Sequence, residues 1–261
     1  MSTRPTDPAI VRLTRTLNHA LRTRFIWALM TCLVVVACAG AGSANLEASG
    51  AGLRDALQHL ENLAAQRYNP QAAARVNRWI TLLERVEGQD ELSQARAVND
   101  FFNRELRYTD DQVTWGREDY WATPLEAMGK AAGDCEDYSI AKFVSLRKLG
   151  VPEERLRLFY VRARMGGPAS RITQAHMVLG YFPSDDAEPL ILDNLITRIE
   201  RASLRDDLTP IFSFNSQGLW PDGTRQSAAD PTARLSQWRR VLDQMERDGI
   251  DITPSMTDRT Q

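Results

Sequence analysis

Nucleophilic catalysis by a thiol needs a cysteine, a base to take its proton and a group to orient that base. The chain offers few candidates. It has three cysteines, Cys32, Cys38 and Cys135, and three histidines, His19, His59 and His176. Cys135 lies in Gly133-Asp134-Cys135-Glu136-Asp137-Tyr138, pressed between three carboxylates. Neighbouring negative charge disfavours the thiolate, the reactive form of cysteine. If Cys135 reacts, something must offset that charge. His19 falls in an N-terminal targeting segment, and His59 falls on a charged part of the first helix, where it reads as a solvated surface residue. His176 remains, in Gln174-Ala175-His176-Met177-Val178-Leu179, at the start of a strand pattern. Leu190-Ile191-Leu192-Asp193-Asn194 ends the next apolar strand on a carboxylate, a natural place for the orienting acid. Taken singly, each residue has a plainer role: Cys135 as a small buried hydrophobe, His176 as a core histidine, Asp193 as a turn former. Their compatible order argues for the triad.

The elements that must position these groups can be read from periodicity. Leu53–Ala65, Gln71–Glu87 and Glu91–Leu106 carry apolar residues at helical spacing. An irregular stretch rich in Tyr, Trp and Asp follows over 107–124, then a short helix over Leu125–Ala131. Asp134 is a good N-cap, so Cys135–Leu149 is expected as a helix with Ile140, Phe143, Val144 and Leu146 on its buried side. Cys135 then sits in the first turn, where backbone N–H groups and the positive end of the helix dipole lower a thiol pKa. The Cys135 N–H is an expected oxyanion donor, with the Trp121 indole N–H as a candidate second. Strands are expected over Leu156–Ala163, Ala175–Phe182 and Leu190–Asp193, and a last helix over Pro231–Arg247. The class is α+β in one domain, with N-terminal helices followed by a sheet.

The first 44 residues differ. Arg4, Arg12, Arg15, Arg22 and Arg24 precede an uncharged run from Phe25 to Ala37, and small residues follow to Ala44. That is the layout of a secretory signal. Three fates fit: cleavage near Ala44, the first expectation; lipidation of Cys38 in Val35-Val36-Ala37-Cys38; or retention as an anchor with the arginines on the cytoplasmic side. All three place the globular part beyond the inner membrane. The expected division is 1–44 targeting segment, 51–225 catalytic domain and 226–261 C-terminal helix and tail. Beyond the targeting segment Cys135 is the lone cysteine, so no intrachain disulfide is expected there. A net charge of −2 without a basic aromatic patch excludes an electrostatic case for nucleic acid.

The order Cys on a helix N-terminus, His on one strand and Asp on the next resembles the papain-like transglutaminase core. Longer strings narrow the likeness. Asp119-Tyr120-Trp121-Ala122-Thr123-Pro124-Leu125-Glu126, Gly133 to Tyr138, Ala175-His176-Met177-Val178-Leu179 and Leu192-Asp193-Asn194-Leu195 resemble the bacterial transglutaminase-like cysteine proteases of the LapG type, over roughly Leu92 to Trp220. The resemblance implies a papain-like core with an antiparallel sheet. It implies a periplasmic, calcium-dependent endopeptidase that cuts a large surface adhesin near its N-terminus at an alanine pair, releasing it and dispersing biofilm. It implies a partner as well, an inner-membrane cyclic di-GMP receptor of the LapD type that sequesters the protease. By the same resemblance Cys135 is the nucleophile, His176 the base and then acid, and Asp193 its orienting partner. Asp134 and Glu136 match the calcium-binding positions, and Asp137 is a further metal candidate by position. Calcium takes about six to eight oxygen ligands. The missing ones are expected among Asp110, Asp111 and Asp119. Two other functions stay open on the sequence: acyl transfer on the same triad, and a non-catalytic binding module.

Overall fold

The three longest helices start where the sequence supplies a side-chain oxygen to their free N–H groups. The computed structural model describes residues 52–252 except 223, 225 and 226. The targeting segment, with Cys32, Cys38 and Ala44, therefore lies outside the described residues, as does the end of the tail. Helix α1 covers 52–57, and α2 covers His59–Arg67. Helix α3 (Pro70–Val86) is capped by Asn69 with proline at its first position, and α4 (Glu91–Glu105) is capped by Asp90. The stretch expected to be irregular contains a two-residue strand β1 (Arg107–Tyr108) and a single-turn helix α5 (Asp111–Trp115). Helix α6 (Pro124–Lys130) opens with a reciprocal Thr123–Glu126 capping box. Strand β2 (Ala132–Gly133) pairs in parallel with β1 and leads straight into α7 (Cys135–Lys148).

The sheet follows. Strands β3 (Leu156–Arg164), β4 (Thr173–Tyr181) and β5 (Leu190–Leu192) occupy the three expected places. Strands β6 (Glu200–Arg201), β7 (Leu208–Phe214) and β8 (Leu219–Pro221) lie in a region without a clear alternating pattern. They complete a six-stranded antiparallel sheet in the order β6-β5-β4-β3-β7-β8. Short helix α8 (Pro231–Arg234) and the amphipathic α9 (Ser236–Arg247) close the described chain. The α+β class with helices first and an antiparallel sheet after is what the structure has. No helix of the described residues is long and apolar enough to cross a membrane.

Helix α7 is the centre of the molecule. It packs against β4, α4, α6 and β3 at once, so it is buried on nearly every side rather than on one stripe. That burial takes in polar side chains, each of which needs a partner. Ser139 Oγ donates to the Met177 carbonyl, Ser145 Oγ donates to the Ala141 carbonyl, and Trp79 of α3 donates to Ser145 Oγ at 2.8 Å. Helix α9 belongs to the same core: Trp238 is fully buried, edge-on to Phe143 of α7 and Phe214 of β7. The other face of the sheet carries a small separate cluster of Val161, Val178 and Ile191.

Candidate active site and acidic cluster

The N-terminus of α7 is built around Asp137 as much as around Cys135. Asp134 accepts a hydrogen bond from the Glu136 N–H, and the Asp137 carboxylate reaches back to the Asp134 N–H. The other Asp137 oxygen accepts from the Ala122 N–H at 2.6 Å, tying the helix start to the segment before α6. Gly133 makes room for this. A Cβ at that position would lie 2.5 Å from Asp137 Oδ2. The spacing Gly133-x-x-x-Asp137 is thus a packing requirement of the turn that delivers the thiol.

Cys135 is buried and unpaired by any disulfide. Burial, and then the charges of Glu136 and Asp134, push its thiol well above the ordinary range. The thiol donates to Glu136 Oε2 at 2.8 Å. The Met177 N–H, one residue beyond His176, opposes the shift by hydrogen-bonding the sulfur. Tyr108 and Tyr160 stand near enough for the Cys135 and Glu136 charges to act on their hydroxyls. The Trp121 indole N–H donates to Asp119 at 2.9 Å, so it is not free for an oxyanion in this arrangement.

The neighbouring carboxylates converge in two groups among the described residues: Asp134, Cys135 and Glu136, and Asp111, Asp134 and Asp137, with candidate ligand atoms within 4.8 Å of one another in each. Of the three acids expected to complete a metal site, it is Asp111 that the fold brings in, from α5. Its carboxyl is pushed up to about 6, chiefly by burial, and Asp134 is pushed up to about 10 by burial and by Glu136. Burial holds Asp137 well above its usual range too. Asp111 Oδ1 is buried without a hydrogen-bond partner among the described residues. A crowd of hard oxygen donors, short of cations and with one orphaned oxygen, fits a calcium ion. Asp111, Asp134 and Asp137 would hold it, with Glu136 adjoining.

The sheet side is assembled by register. Leu179 of β4 pairs with Leu192 of β5. Asp193 follows Leu192 directly and His176 lies three residues before Leu179, so the antiparallel pairing brings both to the same end of the two strands. The two side chains meet at 2.8 Å, His176 Nε2 to Asp193 Oδ1, and both are buried. His176 Nδ1 is buried with no hydrogen-bond partner among the described residues. If Nε2 donates its N–H to Asp193, Nδ1 carries the lone pair and can act as a base. Asp193 also accepts from the Leu195 N–H at 3.0 Å and from Arg205 Nη2 at 2.7 Å. Burial opposes its ionisation, but the His176, Leu195 and Arg205 bonds outweigh that and hold the carboxyl below the usual range. Asn103 of α4 binds the Asp193 carbonyl at 2.8 Å. Neither Arg205 nor Asn103 carries a sequence signal. They come from a loop of mixed charge and from a helix face that reads as polar.

A cysteine at a helix N-terminus and a His–Asp pair on adjacent antiparallel strands define the cysteine hydrolases of the transglutaminase-like class. Residues 66–206 match the model of the bacterial transglutaminase-like cysteine proteinases, and the chain belongs to that family. Solved structures agree. An EGTA-treated LapG from Legionella pneumophila is 36% identical, with a TM-score of 0.63, covering 72% of this chain and 97% of its own. A calcium-bound LapG from the same organism is 36% identical with a TM-score of 0.62, covering 72% and 98%. No curated protein matches the chain.

Proposed function

We propose that this cysteine proteinase is a calcium-dependent endopeptidase using Cys135, His176 and Asp193, and that its substrate is a large surface adhesin cut near its N-terminus at an alanine pair. The observation that carries the catalytic half is the buried His176–Asp193 pair at 2.8 Å, with Cys135 in the first turn of α7. The substrate, the periplasmic setting, the dispersal of biofilm and sequestration by a LapD-type cyclic di-GMP receptor rest on membership of the family and likeness to LapG.

The geometry supports a thiol-protease mechanism. Asp193 fixes the ring and tautomer of His176, so Nδ1 takes the thiol proton and the Cys135 sulfur attacks the scissile carbonyl. The Cys135 N–H, at the start of α7, faces the developing oxyanion. His176 then protonates the leaving amine and activates water against the thioester. In the arrangement described, the thiol proton points at Glu136 instead. Calcium, when bound, supplies positive charge that offsets the four carboxylates.

Mass spectrometry of a peptide containing an alanine pair tests both halves. Cleavage should vanish in EGTA, return with Ca²⁺ but not Mg²⁺, and be absent in Cys135→Ala. Incorporation of an amine without cleavage would instead favour acyl transfer and sink the peptidase reading.

A further inference from the structure

We infer that Arg205 is a positioning residue of the catalytic centre: it binds the outer oxygen of Asp193 and so turns the inner oxygen onto His176. The inference rests on Asp193 acting as the orienting acid. Its support is geometric. Asp193 is fully buried, and its two oxygens have divided duties: Oδ1 receives His176 Nε2 and the Leu195 N–H, while Oδ2 receives Arg205 Nη2 at 2.7 Å. Without a fixed partner on Oδ2, the carboxylate could rotate about its last torsion and lose its aim on the imidazole.

Arg205 is itself held as a rigid fork. Its Nε meets Asp207 Oδ1 and its Nη2 meets Asp207 Oδ2, both at 2.9 Å. This pairing leaves Nη2 shared between the two aspartates. The Arg205 side chain is only 1% exposed, yet its Nη1 is buried without a partner among the described residues. A buried guanidinium with one nitrogen unsatisfied is a poor device for stability alone, since apolar packing of similar volume often does as well or better. It is a good device for keeping a neighbouring carboxylate charged and aimed in a dry place. Arginine suits this because its planar fork fixes two directions at once, which a lysine ammonium cannot.

The charges facing Asp193 come from every element around it. His176 arrives from β4, Arg205 and Asp207 from the turn before β7, and the fully buried Lys142 from α7, itself influenced by Asp100 of α4. Arg205 is the cation among them that touches the oxygen facing away from His176. If its charge is removed, Asp193 keeps a buried oxygen with no compensation and takes up a proton at higher pH. A protonated carboxyl no longer stabilises the imidazolium that forms when the thiol loses its proton.

The test is the pH dependence of kcat and KM for Ca²⁺-loaded enzyme on an alanine-pair peptide, normalised to folded protein, for Arg205→Gln, Arg205→Lys, Asp207→Asn and Asp193→Asn. Arg205→Gln should lower kcat by about 10- to 100-fold, up to the lower end of the roughly 10²- to 10⁴-fold contributed by general acid–base catalysis, with KM unchanged and the acid limb of the profile moved to higher pH. Arg205→Lys should restore the acid limb while recovering kcat only in part. Asp207→Asn, which touches Arg205 but not Asp193, should give a smaller fall of the same kind. Should Arg205→Gln fail to fold, the same readouts on Arg205→Lys and Asp207→Asn decide. A lowered melting temperature with wild-type kcat and pH profile per folded molecule overturns the inference. Full activity in Asp193→Asn would overturn the underlying reading of Asp193, whereas an impaired Asp193→Asn beside a normal Arg205→Gln overturns only the role of Arg205.

Discussion

The two halves of this site treat the same functional group in opposite ways. At the N-terminus of α7, Asp111, Asp134, Glu136 and Asp137 crowd together, and the carboxyls of Asp111, Asp134 and Asp137 are driven up. On the sheet, one carboxylate, Asp193, is surrounded by His176, Arg205 and the Leu195 N–H, and is driven down. Burial opposes ionisation in both places, so it alone does not distinguish them. What differs is the supply of donors. The sheet side is self-contained, with its counter-charge built in. The helix side has no ion pair to a cation among the described residues. Under the function proposed above, this difference would give one active site a permanently oriented base and a nucleophile whose environment answers to a metal.

The largest effects should come from removing a central group on either side. Cys135→Ala should abolish peptide cleavage while leaving Ca²⁺ binding intact by calorimetry. Asp193→Asn should lower kcat by up to about 10⁴-fold, as expected when the orienting acid of a triad is lost, and should also leave Ca²⁺ binding unchanged. The double variant Asp111→Asn with Asp134→Asn should do the reverse. It should lose Ca²⁺ binding outright, and its residual activity should no longer respond to EGTA. If Asp193→Asn weakened Ca²⁺ binding as much as the double variant, the two halves would not be separable as described.

A smaller effect should appear in stability against pH. Asp134 and Asp111 bind protons more tightly folded than unfolded, with folded values near 10 and 6 against an unfolded value of about 4. Their protonated forms favour the fold, so EGTA-treated protein should lose stability as pH rises from about 4 through 6 and on toward 10. Asp193 has the opposite sign: its contribution is present above the unfolded carboxyl value and is lost as pH falls below it. Melting temperatures across this range, with and without Ca²⁺, check both. Calcium should flatten the alkaline slope and leave the acid slope alone. Asp134→Asn should flatten the alkaline slope without calcium.

The smallest contrast pairs two glycines. An alanine Cβ at Gly133 would meet Asp137 at 2.5 Å, and one at Gly180 would meet the Phe159 ring at 2.5 Å. Each substitution should cost about 1–3 kcal/mol, the usual range for overpacking. Only Gly133→Ala should also weaken Ca²⁺ binding, because it displaces the capping carboxylate. Urea unfolding and calorimetry on the two variants separate the effects.

Much of this was legible before any coordinates. Helical spacing gave α3, α4 and α7 to within a residue or two, and the Asp134 cap followed from residue type. Local alternation located β3, β4 and β5, so Cys135, His176 and Asp193 could be named as a set. The aspartate that completes the acidic cluster could not be chosen, since Asp110, Asp111 and Asp119 are alike along the chain. Strand β7 was missed because its solvent-facing residues break the alternation; Thr209, Pro210 and Ile211 are all exposed. Arg205 was missed because nothing local distinguishes an arginine that will be buried from the many that will not.

The sequence alone determined what depends on neighbours within one turn or one strand: the cap, the dipole at Cys135, the period of each element and the crowding of charge around the thiol. Tertiary structure decided what depends on segments far apart in the chain. It chose Asp111 over its neighbours, fixed the register that sets His176 against Asp193, and brought Arg205 to the other side of that carboxylate. The reason is physical: hydrogen bonds and ion pairs act over a few ångströms of space, and which distant residues come that close is settled by packing around α7.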